Sequence, residues 1–164
     1  MKEIFSRISV RRYTDQPVER EKLNAILKAA MQAPSAGDQR PWEFYVVTTP
    51  ETIEKLAKIS PYAGCAAGAG TVIVPCYRLE GINFPAFAEI DLAIACENLW
   101  LETTAQGLGT VMLGVAPDED RMEAVKAILK IPDGLRAFAI FPIGYPAETR
   151  EQKDRFDAYR IHYV

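Results

Sequence analysis

Apolar positions recur along this chain with two periods, and those periods lay out its elements. Leu23, Ile26, Leu27, Ala30 and Met31 fall at i, i+3, i+4, i+7 and i+8, the stripe of a helix with one buried face. They predict a helix from about Glu19 to Gln32. Pro34 ends it, because proline lacks the N–H a helix needs and restricts the residue before it. Shorter apolar runs read as strands: Phe44 to Thr48, Thr71 to Val74, Leu108 to Val115 and Ala137 to Gly144. Thr49-Pro50 suits an N-cap followed by proline in the first turn, and predicts a helix from about Glu51 to Ile59. Pro117-Asp118 opens another, to about Lys130, with early acids that suit the helix dipole. Residues 2–8 read as a short helix with Ile4, Phe5 and Ile8 turned inward.

The longest helix runs from Ala86 to Gln106, on the order of 30 Å at about 1.5 Å per residue. Phe87, Ile90, Leu92, Ile94, Leu99, Trp100 and Leu101 lie almost all round it. It is therefore expected in the centre of the protein or at a subunit interface, with Gly107 as its stop. After Tyr145-Pro146 the chain turns polar, yet it carries Phe156, Tyr159, Ile161 and Tyr163. A disordered tail seldom spends four large apolar residues. This one is expected to pack on something, and a second subunit is the natural candidate.

Composition narrows the classes. A length of 164 residues suggests one domain, and 49% apolar with 25% charged residues is ordinary for a globular protein. A net charge of −3 speaks against a general nucleic-acid-binding surface. Cys65, Cys76 and Cys96 are widely spaced and odd in number, which argues against a disulfide framework or structural zinc and for buried thiols in a reducing cytoplasm. Met1-Lys2-Glu3 opens no secretory signal, and no segment reads as a membrane span. His162 is the only histidine, so neither a Ser-His-Asp constellation nor a histidine-based metal site can be built. There is no P-loop, and Gly68-Ala69-Gly70 precedes a strand where a dinucleotide fingerprint would follow one. Glu89, Asp91, Glu97 and Glu102 sit on the long helix, where solvated or interfacial positions are the default. With so few candidate side chains, an enzyme here would leave the hard chemistry to a cofactor.

One basic stretch stands out, Arg7-Ile8-Ser9-Val10-Arg11-Arg12-Tyr13. Alone it is either a basic turn in solvent or half of a phosphate clamp, with Lys153 and Arg155 as the other half. Taken with Ala33-Pro34-Ser35-Ala36-x-Asp38-x-x-Pro41-Trp42, then Gly107-Leu108-Gly109-Thr110 running into Gly114, and lastly Gly144-Tyr145-Pro146, it resembles the FMN-dependent nitroreductase family. The motifs stand in the family's order over nearly the whole chain.

The resemblance implies an α+β, three-layer α/β/α fold with a mostly antiparallel central sheet. It also implies a domain-swapped homodimer with FMN at the subunit interface, residues 146–164 extending over the partner. Arg7 and Ser9 would hold the FMN phosphate, as a guanidinium fork and a hydroxyl can. Ile8 stands where many relatives carry a second basic residue, so only its backbone would serve. Arg11 would face the N1–O2 edge of the flavin, where reduction puts negative charge; its alternative is a surface ion pair. Pro34, Ser35 and Ala36 would come from the other subunit along the ring system. Asp38 departs from the family's asparagine and cannot donate as an amide does, and Arg40 would neutralise it. Met112, Leu113 and Gly114 would offer backbone N–H groups to flavin N5 and O4, against the alternative of a plain strand end. Lys153 and Arg155 would close on the phosphate, with Arg150 and Arg160 as competing alignments.

The activity implied is a ping-pong oxidoreductase: NAD(P)H reduces the flavin, then a nitroaromatic, quinone or similar acceptor takes the electrons in the same cleft. The short stretch between Cys76 and Ala86 leaves little room for a lid. Two rivals stand beside it, a non-catalytic flavin-binding or sensing protein of the same fold, and a cofactor-free dimeric interaction domain.

Overall fold

A computed structural model describes residues 2–164. The helices are α1 (Glu3–Ser6), α2 (Arg20–Met31), α3 (Pro50–Leu56), α4 (Ala88–Ala105) and α5 (Glu119–Leu129). The strands are β1 (Trp42–Val47), β2 (Thr71–Arg78), β3 (Leu113–Gly114), β4 (Leu135–Ala137) and β5 (Ala139–Ile143). Every strand pair in the sheet is antiparallel, in the order β1-β2-β5-β3, with β4 also on β2.

Alternation along β2 explains the three layers. Val72, Val74 and Cys76 point to one side and pack with Ile53 and Leu56 of α3 and Met122 and Val125 of α5. Ile73 and Tyr77 point to the other and pack with Leu23 and Ile26 of α2 and Leu92 and Leu99 of α4. Helices thus cover both faces of the sheet, the three-layer α+β arrangement expected.

A proline inside a central strand needs a physical reason, because it cannot donate to the ladder. Pro75 sits where the strand beside it breaks. β4 covers Cys76 to Arg78, β5 covers Thr71 to Ile73, and the residue between them, Phe138, donates its N–H to the Pro75 carbonyl. The Phe138 carbonyl turns away and accepts from Val115 and Ala116. The single strand expected over Ala137 to Gly144 is therefore two.

Two further expectations are corrected. The first helix is one turn, with Ile4 and Phe5 at 48% and 80% exposure, so its apolar residues face outward. The run from Leu108 to Val115 forms a strand only at Leu113–Gly114; upstream it is tied by isolated bridges, Gly109 to Gly144 and Thr110 to Ser9. The long helix, expected at the centre or at a subunit interface, has Ala88, Leu92, Ala95, Leu99 and Thr103 inside, while Ile90 and Ile94 on it and Phe87 just before it are exposed in the single chain. Gly107 follows it at φ +73, as a helix stop requires. Among the described residues no helix is long and apolar enough to cross a membrane.

Candidate functional site

Residues 7–13 run in extended backbone at the edge of the sheet. Ser9 bridges Thr110 in parallel, the Val10 N–H reaches the Thr110 carbonyl at 2.9 Å, and Tyr13 bridges Pro146. Close approach is possible because Gly109 has no Cβ; one placed there would lie 2.7 Å from Val10 side-chain carbons. In extended backbone alternate side chains share a face. Ile8 and Val10 accordingly line one small cavity of about 250 Å³, with Ser6 of α1 beside them, while Arg7 and Arg11 line two others.

The first half of the start of the tail runs beside this segment. Ala147 donates to the Arg12 carbonyl, Glu148 Oε1 accepts the Arg11 N–H at 2.7 Å, and Gln152 Nε2 donates to the Arg7 carbonyl at 2.6 Å. The Arg11 N–H, helped by Arg150 and Arg12, holds the Glu148 carboxyl below its ordinary pKa. This mooring delivers Lys153 and Arg155 to a cavity of about 590 Å³ that Arg7 also lines, together with Glu97, Asp154 and Phe156. The two halves of the expected clamp therefore meet.

The competing alignments separate. Arg150 pairs with Glu148 at 3.1 Å and Arg160 with Asp157 at 3.0 Å, whereas Lys153 and Arg155 have no carboxylate partner among the described residues. Arg7 is held more firmly than a surface cation. Its side chain is only 13% exposed, its guanidinium lies 4.1 Å over the Trp100 ring, and Nε stands 3.8 Å from Glu97. Contact with the partly buried Trp100 indole steadies the guanidinium, and the long contact to Glu97 is a weak competitor.

Arg11 lines a cavity of about 470 Å³ with Met112, Leu113 and Gly114, joined by Ser60, Tyr62, Val111 and Arg121. No ion pair ties its side chain among the described residues, so the surface-pair alternative for Arg11 finds no partner. Leu113 is buried and Gly114 exposed, which leaves this segment's backbone as its polar surface. Nearby Thr110 Oγ1 is buried with no hydrogen-bond partner.

Pro34, Ser35, Ala36 and Asp38 lie elsewhere. Their loop is fastened to α4, and none of them lines the cavities of Arg7 or Arg11. Asp91, 3% exposed, accepts from Ala36 N–H at 2.9 Å and from Gln39 Nε2 at 2.7 Å. The Gln39 amide also takes the N–H and carbonyl of Phe84. Gly37, Asp38 and Arg40 are all left-handed, with φ of +56, +56 and +45. Arg40 forks onto Asp38 with both Nε and Nη2, as expected, and holds that carboxyl below its ordinary range. The Ser35 hydroxyl accepts the Arg40 N–H. Sequence reasoning missed Gln39, Trp100, Glu148 and Gln152, and it misplaced Asp91, expected at a solvated or interfacial position and found buried because its oxygens take the loop's donors. Asp91 alone left a signal: it falls on the buried stripe of Ala88, Leu92, Ala95 and Leu99.

A three-layer α+β protein that gathers Arg7, Lys153 and Arg155 in one cavity and sets Arg11 beside Met112, Leu113 and Gly114 in another has groups that suit a flat, anionic cofactor. Comparison with known proteins gives the particular family. The nitroreductase family model matches residues 4–63 and 60–145. A protein of Methanothermobacter thermautotrophicus provisionally named NADH dehydrogenase/NAD(P)H nitroreductase is 40% identical over 159 residues, 97% of this chain and 83% of that one. A structure from Clostridium acetobutylicum provisionally named NADH oxidase superposes with TM-score 0.94 at 40% identity, over 98% of this chain and 97% of that one. An FMN-dependent nitroreductase of Clostridium difficile superposes with TM-score 0.90 at 29% identity, covering 98% and 96% of the two chains. The chain belongs to the nitroreductase family.

The residues present fit FMN. Its phosphate needs cations, and Arg7, Lys153 and Arg155 share one cavity. Its ring edge needs a cation and backbone donors, and Arg11 shares another with Met112, Leu113 and Gly114. Ser9 stands between the two arginines in the alternating register.

Proposed function

We propose that this chain, an FMN-dependent NAD(P)H oxidoreductase of the nitroreductase family, works as a homodimer that serves donor and acceptor in turn from one open cleft. When bound, FMN supplies two-electron redox chemistry between a nicotinamide donor and a small acceptor such as a nitroaromatic or quinone. The observation that carries this reading is the shared cavity of Arg7, Lys153 and Arg155, next in register to that of Arg11 and the Met112–Gly114 backbone.

Each residue has a role that follows from its chemistry. Arg7, Lys153 and Arg155 neutralise the phosphate, and Ser9 offers a hydroxyl. Arg11 keeps a fixed positive charge where negative charge grows on reduction. Gly114 and its neighbours offer N–H groups without a side chain in the way; Leu113 and Ile8 contribute backbone only. No side chain need act as acid or base, since the protein's work is binding and orientation. Pro34, Ser35, Ala36 and Asp38 reach the cleft of the partner subunit, which accounts for their distance from Arg11 within one chain. Residues 1–164 act as one domain, and the tail from Pro146 packs on the partner. Phe87 just before α4, Ile90 and Ile94 on it, Phe5 on α1, and Phe156, Tyr159 and Tyr163 are large and exposed, a surface a second copy would cover. The cytoplasm suits an enzyme that draws on a nicotinamide pool.

The test is an anaerobic visible spectrum before and after adding NADH or NADPH, with light scattering for the dimer. Yellow protein that bleaches and is then reoxidised by a quinone is the expected result. A flavin spectrum that never bleaches favours the sensing protein, and no flavin after incubation with FMN overturns the reading.

A further inference from the structure

The cavity that Arg11 lines differs from the other large ones in its charge. Its lining holds two guanidiniums, Arg11 and Arg121, and no carboxylate. The clamp cavity sets three cations against Glu97 and Asp154, and the cavity of about 530 Å³ between Thr14 and Thr71 holds Asp15 and Glu54 and no cation. In a chain of net charge −3, a concave site with cations alone focuses anions locally.

Arg121 lines the same cavity as Arg11 but is assigned no role towards the flavin, and it is held in place. Asp118 caps α5 by accepting the Arg121 N–H at 3.2 Å, and its other oxygen stands 3.1 Å from Arg121 Nε. That contact fixes the Nε edge of the guanidinium. Among the described residues Nη1 and Nη2 make no hydrogen bond, so the donor edge that could fork onto a carboxylate or phosphate is unused. Around it stand Tyr62 at 77% exposure and Met112 at 42%, apolar surfaces for a flat ring, and the Ser60 hydroxyl.

We propose that Arg121 is the anion-recognising residue of the substrate cleft: it takes the carboxylate or phosphate of a flat, negatively charged substrate whose ring lies on Tyr62 and Met112. The inference rests on the functional reading for where the cleft lies. Its test does not depend on turnover. The purified full chain is titrated by calorimetry with 4-nitrobenzoate against 4-nitrobenzyl alcohol, and with adenosine 2′-monophosphate against adenosine. The wild type should favour one or both charged members. Arg121→Gln should cut that preference about tenfold, the low end for a charge-assisted hydrogen bond, with Arg121→Lys keeping part of it. Loss confined to 4-nitrobenzoate assigns Arg121 to the acceptor; loss confined to the 2′-monophosphate assigns it to a phosphorylated nicotinamide donor. Should Arg121→Gln fold poorly, raising ionic strength on the wild type must weaken the charged ligands and spare the neutral ones. No charge preference in the wild type, or the same preference in Arg121→Gln, overturns the proposal. Failure of the functional reading would appear separately, as protein without flavin.

Discussion

Asp91 is the residue whose loss the fold should feel most outside its apolar core. It is a carboxylate inside the protein, on a stripe of Ala88, Leu92, Ala95 and Leu99, and its oxygens fasten a loop of three left-handed residues. Changing Asp91→Ala removes two hydrogen bonds to a charged acceptor, each worth about 1.5–3 kcal/mol. It leaves the Ala36 N–H and one Gln39 donor without partners. Part of that loss is offset, because the buried charge no longer has to be desolvated. The place of Asp91 in the first turn of α4 lowers that offset, since the helix N-terminus already favours negative charge. The net expectation is a destabilisation of about 2–4 kcal/mol, a fall in melting temperature of roughly 5–15 °C.

The assay is a urea melt, read as a lower midpoint at unchanged slope. Asp91→Asn serves as the finer probe. Its carbonyl oxygen can still accept the Ala36 N–H, but its amide then meets the Gln39 Nε2 donor. Turning the Gln39 amide would relieve that clash only by giving up both bonds to the Phe84 backbone. A cost of about 1–2 kcal/mol follows. An Asp91→Ala protein within about 0.5 kcal/mol of the wild type, at the same slope, would show that the carboxylate does not hold the loop.

Four other outcomes follow from particular contacts. Gly109→Ala puts a Cβ 2.7 Å from Val10 carbons and should cost about 1–3 kcal/mol in a thermal melt, with Val10→Ala restoring part of it; additive losses would refute the contact. Cys76 and Cys96 are buried, which pushes both thiols up, Cys76 to about 12, so native protein at pH 8 should alkylate at most at half-buried Cys65 and at all three thiols in denaturant, by intact mass. The Glu148 carboxyl is held below 4.5 chiefly by the Arg11 N–H, so its contribution to stability is full above the unfolded value and disappears as pH falls through the lower folded one. Glu148→Gln should therefore melt lower at pH 7 and fall less steeply below pH 4.5. Lys153→Ala should weaken FMN binding about tenfold by fluorescence titration, while Arg160→Ala, already paired with Asp157, should leave it unchanged.

The layers were legible because α2 carries a one-sided helical stripe, while α4 and the central strand read as long and short apolar runs. Leu23, Ile26 and Ala30 are inside, and Val72 to Cys76 alternate between the two cores. What escaped is whatever depends on two distant segments at once. The break at Phe138 exists because Pro75 faces it, and no local pattern around Phe138 announces that. Phe5 looks like core in sequence and is 80% exposed, because apolar character does not say which molecule supplies the cover. In the candidate site, Arg7, Ser9 and Arg11 stood out only once the later motifs carried the family resemblance, and Lys153 and Arg155 were named from it with Arg150 and Arg160 as competing alignments. Glu148 and Asp157 occupy the alternatives, and Gln152 positions the tail.

The same accounting bears on where a cofactor can sit in a chain of this size. Both faces of the sheet are filled, by Phe141, Ile73, Leu92 and Leu99 on one side and Val74, Leu56, Val115 and Val125 on the other. No layer is left to enclose a planar ring system, so the polar groups suited to one lie at the sheet edge, on residues 7–11 and 112–114, open to solvent. A site of that kind is one wall. The second wall has to come from a surface that is rigid yet makes little use of itself within its own chain. The loop from Pro34 to Arg40 has that character: Asp91 and Gln39 hold it from behind, and Asp38 and Arg40 neutralise each other. On the reading proposed above, a homodimer that sets this loop against Arg11 of the partner would supply that second wall.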